Sequence, residues 1–403
     1  MQIADIDLMD LDTFVAGRHH EAFELLRRES PVHWQTEADD GTGFWAITKH
    51  SDIVKISRNP ALFSSAPTCQ LFDTPEEITA VVQEIMINMD PPRHLAFRNH
   101  INKGFTPRRV SGLEEFVRDI ARQIVDDIAE RGQCEFVEDV AALLPMTVIC
   151  ELFGIPEDKR RYVYELANRL ISADDPEIED TEGGAQAAFA EVFEYATELR
   201  ELKLREPGDD LATTILNTKL EGKPIDEMAF GTFVLMMVVA GNETTRTVTT
   251  NGMRALIEHP DQRQILLDDP SLIAPALDEM LRFEPAVHHF RRRATEDTEI
   301  RGVKVAKDQK VVLWYPSANR DEETFADPHK FDVRRENASD QIAFGIGQHF
   351  CLGASLARLQ LRCIFEETLG RLPDMELDGP PRRLRSNFIN GVKEMPVTFT
   401  PAA

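Results

Sequence analysis

The sequence predicts a mainly α protein with small β-sheets, and three observations carry that expectation. Helical periodicity dominates: segments 112–131, 137–153, 157–172 and 186–205 each repeat apolar residues at the spacing of one helix face. Pro224 and Pro260 bracket 35 residues without proline. As one helix that span would run about 50 Å at 1.5 Å per residue. Short β-like pieces appear near 296–314 and again near 383–400, too brief for a large sheet.

The elements follow in order. Val32-His-Trp34 and Phe44-Trp-Ala-Ile47 flank a turn rich in Asp and Gly and read as a hairpin. Ser51-Asp-Ile-Val starts a short helix, with Ser51 suited to its N-cap. Residues 64–88 give no periodic signal and read as a long loop, and long loops inside compact domains are often functional. The proline-free span contains the longest apolar run, Phe233 to Ala240, so this helix is expected to cross the core. A helix over 271–283 follows. No Gly/Ser-rich or Pro-rich linker and no internal repeat divides the chain, so residues 1–403 read as one domain.

Composition excludes several classes. The first basic residue is Arg18, and nothing resembles a signal peptide. The apolar run is far short of the ~20 residues that cross a bilayer, so a soluble, cytoplasmic protein without membrane insertion is expected. A net charge of −25 argues against nucleic acid or an anionic membrane as partner. The charge is uneven: Ala173 to Glu182 is nearly all acidic, whereas Arg98 to Arg109 and Arg291 to Arg293 are locally basic. The acidic run reads first as a solvated face. Cys69, Cys134, Cys150, Cys351 and Cys363 are odd in number and lack CxxC spacing, which speaks against a disulfide framework or a zinc site. Four of them read as small buried hydrophobes.

Cys351 is different. It lies in Phe344-Gly-Ile-Gly-Gln-His-Phe-Cys351-Leu-Gly353. Two glycines let the backbone turn tightly before the sulfur, and Gly353 opens a helix at Ala354. A thiolate at a helix N-terminus is favoured by the dipole and by free N–H groups. A bare Gly-x-Gly would be an ordinary turn, but the ten-residue pattern is far more specific.

This stretch resembles the haem-binding signature of the cytochrome P450 family. The resemblance implies the family's single-domain fold, with a long central helix over the haem. It also implies that Cys351 is the axial metal ligand of haem b, that Phe344 packs beside it, and that His349 contacts a propionate. Four further segments match in order. Glu279-Met-Leu-Arg282 resembles the family's structural ion pair, its two charges on one helix face. Asn319-Arg-Asp321 through Phe325, Pro328, Phe331 and Arg334 resembles the partner segment, with Arg334 completing that network. Asp90-Pro-Pro-Arg-His94-Leu-Ala-Phe-Arg98 resembles the haem-clasping helix; His94 and Arg98 project from one side and suit a propionate, and Arg292 suits another. Ala240-Gly-Asn-Glu-Thr244-Thr245 is similar to the oxygen-activation motif, with Glu243 where many members carry Asp. Glu243 and Thr244 are the implied catalytic pair, relaying protons, and the Thr244 hydroxyl is expected to bond a carbonyl one turn back. A helix kink with no proton role is the competing reading.

The implied reaction is hydroxylation of an apolar small molecule with O₂. Candidate pocket residues are Val239, Ala240, Ala286, Val287 and Phe388, few of them polar. His288 and His289 read more readily as two satisfied histidines in a bend than as substrate contacts. Residues 384–393 with 312–319 look similar to bacterial members that hydroxylate sterol side chains, branched lipids, alkanes or terpenoids, which points to a terpenoid, steroid or fatty-acyl substrate. The resemblance implies electrons from NAD(P)H through a ferredoxin reductase and a ferredoxin, separate proteins because the chain shows no flavin or nicotinamide fingerprint. Arg108, Arg109, Arg358 and Arg362 are candidates for a basic docking patch on a chain expected to be monomeric. The alternatives are an H₂O₂-using peroxygenase and a non-catalytic haem-thiolate sensor or carrier. The Glu243-Thr244 pair speaks for O₂ activation over both.

Overall fold

The computed structural model describes residues 1–37, 41–171, 175, 184–220 and 222–402. Most of the acidic run 173–182 and the tip of the first hairpin lie outside the described residues.

The helices that build the site are α1 (His19–Glu29), α2 (His50–Ser57), α3 (Glu76–Gln83), α4 (Arg93–Ile101), α5 (Glu114–Ala129), α6 (Leu143–Phe153), α7 (Arg160–Ile171), α8 (Gly184–Arg205), α9 (Glu227–Glu258), α10 (Ile273–Phe283) and α11 (Ala354–Arg371). One five-stranded sheet runs in the order β1 (Val32–Gln35), β2 (Phe44–Ile47), β5 (Lys310–Trp314), β4 (His289–Ala294), β3 (Phe63–Ser64). Its first two strands form the expected hairpin, with Val32 opposite Ile47. The other sheets have two or three short strands each.

Helix α9 is the axis of the molecule. Asp226 caps it by accepting the Ala229 N–H at 2.8 Å, and His259-Pro260 ends it. Its 32 residues span about 48 Å at 1.5 Å per residue. Phe230, Phe233, Val234, Leu235, Leu256 and Ile257 are buried, and α6, α7, α8, α10 and α11 pack around it. A Cβ on Gly252 would stand 2.9 Å from Phe365 and 3.1 Å from the Met280 sulfur, so glycine sets how closely α9 meets α10 and α11.

Two expectations about local structure are corrected. The 64–88 segment is not one loop: it holds α3 and a 3₁₀ turn at Met86–Asn88. Helix α3 buries none of its residues fully, so the sequence had little core face to display there. The helix expected to begin at Ser51 begins at His50, with Lys49 as its N-cap residue. The His50 N–H is satisfied by the Asp321 carboxylate at 2.9 Å, a partner from 271 residues away.

Beneath the sheet and α9 lies a closed polar knot. Glu279 and Arg282 on α10 are fully buried and meet at 2.6 and 2.8 Å. The remaining Arg282 donors reach the carbonyls of Asn319, Pro328 and Lys330 at 2.8, 2.9 and 3.1 Å. The arginine that completes this network is Arg335, whose Nε lies 3.1 Å from Glu279, and not Arg334. Arg334 is exposed; its backbone N–H donates to Asp332, and the turn there swings its side chain outward.

Candidate functional site

The sulfur-bearing loop is shaped by its glycines and by one backbone bond. The Cys351 N–H donates to the Phe344 carbonyl at 2.8 Å, closing the loop. Gly345 and Gly347 have φ of 69° and 77°, the left-handed region that favours glycine. At Gly347 a side chain is also excluded by space, because its Cβ would run into the Ser57 carbonyl at the end of α2. Arg358 lies 4.6 Å over the Phe344 ring and steadies the near side of the loop. Gly353 precedes α11 and has open space where a Cβ would stand.

Burial pushes the Cys351 thiol pKa up; the Gly353 N–H, Arg98 and Arg358 oppose that shift without overcoming it. The helix terminus alone therefore does not make the thiolate. A metal cation at the sulfur would, since a coordinating thiol loses its proton.

Cys351 shares one cavity of about 220 Å³ with His94, Arg98, Arg292 and His349. A single water needs only about 10–15 Å³, so the cavity is sized for a large ligand. His94 is wholly buried, and neither of its ring nitrogens has a hydrogen-bond partner among the described residues. Burial, with Arg98 next, lowers its pKa to about 4. The His349 ring centre lies 4.1 Å from that of His94, and burial with Arg292 lowers its pKa to about 2. Its Nε2 meets the Ser65 hydroxyl at 3.1 Å. Arg98 contacts the Phe350 carbonyl and Arg292 the Arg291 carbonyl at 2.7 Å. Neither guanidinium forms an ion pair with a carboxylate among the described residues. Two guanidinium groups and two imidazoles thus converge without counter-ion, an arrangement suited to the paired carboxylates of haem. The cysteine, the open space over Gly353 and these four groups fit that cofactor.

The rest of the lining is apolar. Ala240, Ala286 and Val287 face the cavity as expected. Val239 and Phe388 do not. Val239 is half-buried against the apolar cluster around α9 and is not among the lining residues. Phe388 stands one layer back, its ring 5.8 Å from that of Phe290, which does line the cavity. Sequence reasoning missed Met86, Met236, Met237 and Phe290; the two methionines on α9 lie one turn before Ala240 on its face, and that spacing was the available signal. His288 and His289 lie behind the wall with His19 and His20 and do not reach the cavity. Both are buried as the milder reading had it, but His289 opens strand β4 and is not in a bend, and the His288 Nδ1 has no hydrogen-bond partner among the described residues.

On α9, Thr244 lines the cavity and its hydroxyl donates to the Ala240 carbonyl at 2.8 Å. Thr245 lines it too. Glu243 is buried but turned away from the cavity, in an ion pair with Arg246. Of the four arginines in the candidate docking patch, Arg109 pairs with Asp209, Arg358 with Asp278 and Arg362 with Glu114, leaving Arg108 exposed without a carboxylate partner among the described residues.

A mainly helical fold whose cavity is bounded by a cysteine loop and a cationic cluster defines the class of protein whose site fits a large dianionic cofactor beside a cysteine sulfur. Comparison with known proteins agrees. The cytochrome P450 family profile matches residues 271–387. The chain is 38% identical to a steroid C26-monooxygenase of Rhodococcus jostii, covering 98% of this chain and 85% of that one. It is also 38% identical to a linalool 8-monooxygenase of Pseudomonas putida, covering 98% and 99%. Among solved structures, a Mycobacterium marinum cytochrome P450 in complex with pseudoionone superposes with a TM-score of 0.91 at 34% identity, covering 98% of both chains. The chain belongs to the cytochrome P450 family. It is a P450 monooxygenase, and no helix among its described residues is long and apolar enough to cross a membrane.

Proposed function

We propose that residues 1–403 form one haem-thiolate monooxygenase domain that hydroxylates a terpenoid, steroid or fatty-acyl substrate. The single observation that carries this reading is the convergence of Cys351 with Arg98, Arg292, His94 and His349 in one largely apolar cavity, neither guanidinium paired with a carboxylate among the described residues. When bound there, haem supplies the O₂ activation that no side chain provides. Cys351 would hold the iron, His94, Arg98, Arg292 and His349 the propionates, and Phe344 the flank of the sulfur loop. The overall balance is one C–H bond, O₂, two electrons and two protons giving one alcohol and one water.

The chain's own part is binding and proton supply. Met86, Met237, Ala240, Val287 and Phe290 offer a substrate no charge and no fixed polar anchor, so shape orients it. Thr244 keeps its lone pairs toward the cavity while its proton is held by Ala240. A carboxylate on the preceding residue, Glu243, is close enough in the chain to resupply that hydroxyl after a side-chain turn. Electrons are taken to come from NAD(P)H through a ferredoxin reductase and a ferredoxin, in the cytoplasm, with the enzyme as a monomer. The exposed Arg108 is the docking cation this reading favours.

The test is the CO difference spectrum of the reduced, haem-loaded protein beside Cys351→Ala. A strongly red-shifted Soret band that vanishes in the variant is expected; the same histidine-type band in both proteins would overturn the reading. Screening terpenoids, steroids and fatty acids for a substrate-induced spin shift then assigns the class. NAD(P)H oxidation with ferredoxin and reductase should rise with the responding compound and fall, with a shallower salt dependence, in Arg108→Ala.

A further inference from the structure

The proposed catalytic carboxylate is held from outside the site. Glu243 pairs with Arg246, one turn further along α9. The other arm of that guanidinium leaves the helix: Nη1 donates to Asn168 Oδ1 at 3.1 Å and to the Tyr164 hydroxyl at 3.3 Å, both on α7. The Tyr164 hydroxyl donates in turn to both carboxylate oxygens of the exposed Glu138 at 3.0 Å. Arg246 is 8% exposed and Glu243 1%. A cation so buried is held in place by the partners it has, and its fork lets one face serve Glu243 while the other serves α7.

We propose that Arg246 is a positioning residue for Glu243, and that α7 sets its hold through Tyr164 and Asn168. The inference rests on the monooxygenase reading and adds a coupling to it. An ion pair three residues apart on one helix forms without help from elsewhere. What α7 adds is an anchor on the far arm of the guanidinium. With that anchor in place the guanidinium meets Glu243 through one arm, and the carboxylate, which otherwise accepts only a long 3.3 Å bond from the Thr247 hydroxyl among the described residues, can turn toward Thr244. With Tyr164 and Asn168 removed, both arms close on Glu243 and pin it away from the cavity. Proton supply at the Thr244 hydroxyl therefore depends on how α7 sits on α9, although no atom of Tyr164 or Asn168 lines the cavity.

The experiment uses the haem-loaded protein and the substrate found by spin shift. Arg246→Ala strips a buried carboxylate of its counter-ion and puts folding at risk, so the informative variants are Tyr164→Phe with Asn168→Ala, Arg246→Lys and Glu243→Gln. The double variant on α7 should keep the CO spectrum and the spin shift of the wild type. It should lose several-fold in the fraction of electrons recovered in product, with an enlarged solvent isotope effect on turnover. Amide hydrogen exchange gives a readout independent of activity: residues 160–171 should exchange faster in Arg246→Lys and Glu243→Gln than in the wild type, with α5 unchanged. Wild-type coupling in the double variant, alongside a clear defect in Glu243→Gln, overturns the inference and leaves the monooxygenase reading standing. Unchanged exchange in α7 also overturns it. Wild-type coupling in Glu243→Gln itself removes the proton role of Glu243, and the inference falls with it.

Discussion

Two regions of this molecule bury positive charge, and they do so in opposite ways. Around Glu279, Arg282 and Arg335 the arginine donors find carboxylates or carbonyls, and the knot is closed. Around His94, Arg98, Arg292 and His349 the cations and imidazoles line an apolar cavity, and neither guanidinium forms an ion pair with a carboxylate among the described residues. Folding tolerates the first because every charge is answered within the chain. In the second the chain leaves two guanidinium groups without a carboxylate, and the proposed haem propionates would answer them. The contrast separates charge that serves the fold from charge that awaits a ligand.

Breaking the closed knot should have the largest effect. Glu279→Gln leaves Arg282 buried without its counter-ion and should cost about 3–5 kcal/mol. Denaturant unfolding of the apoprotein checks it, and a loss under 1 kcal/mol would contradict the assignment of this pair to the fold. In the open cluster the expectation reverses. Arg292→Ala should leave apoprotein stability unchanged or raised, because it relieves repulsion. It should weaken haem retention by about 1.5–3 kcal/mol, the worth of a hydrogen bond to a charged group. Haem transfer to a scavenger protein gives the rate, and equal retention in both proteins would remove Arg292 from the propionate site.

A third region sharpens the comparison, because it buries titratable groups neutral. His19, His20, His288 and His289 cluster beneath the sheet around Phe14 and Trp314, beside Arg320, Arg383 and Glu284. Burial lowers all four pKa values, those of His19 and His289 to about 3. The folded pKa lies below the unfolded value, so the unfolded chain binds protons first. Stability is full above pH 6.5 and is lost as pH falls toward 3. Each such histidine contributes up to about 1.4 kcal/mol per pH unit in that window. His289→Leu should flatten the acid side of a urea-midpoint profile by one proton's share; an unchanged slope would mean that His289 is already protonated or exposed. The smallest effect belongs to Arg334→Ala, expected within about 0.5 kcal/mol of wild type, as for other exposed side chains. Arg335→Ala, one residue on, should cost several times more in the same unfolding assay.

That neighbouring pair shows where reading the sequence ran out. Arg334 and Arg335 are adjacent and chemically identical, and only the turn at Asp332 decides which one reaches Glu279. Phe388 and Phe290 differ by a layer, which no spacing rule encodes. Helix α3 was invisible because none of its residues is fully buried, so it has no core face to write an apolar period into the sequence. The long helix α9, the hairpin of β1 and β2 and the Cys351 loop were legible because each is specified locally: by absence of proline, by alternation around a turn, by glycines at fixed offsets. The N-cap of α2 was not, since its carboxylate comes from Asp321.

The contact between Arg98 and the Phe350 carbonyl joins residues 252 apart in sequence. During synthesis the clasping helix α4 emerges long before the sulfur loop, and until that loop arrives the guanidinium groups of Arg98 and Arg292 have neither Cys351 and His349 beside them nor the Phe350 carbonyl to donate to. No growing chain that stops short of Cys351 contains even a crude version of the pocket. A cofactor held by this loop and by α4 together would therefore be captured late, once nearly the whole chain has been made.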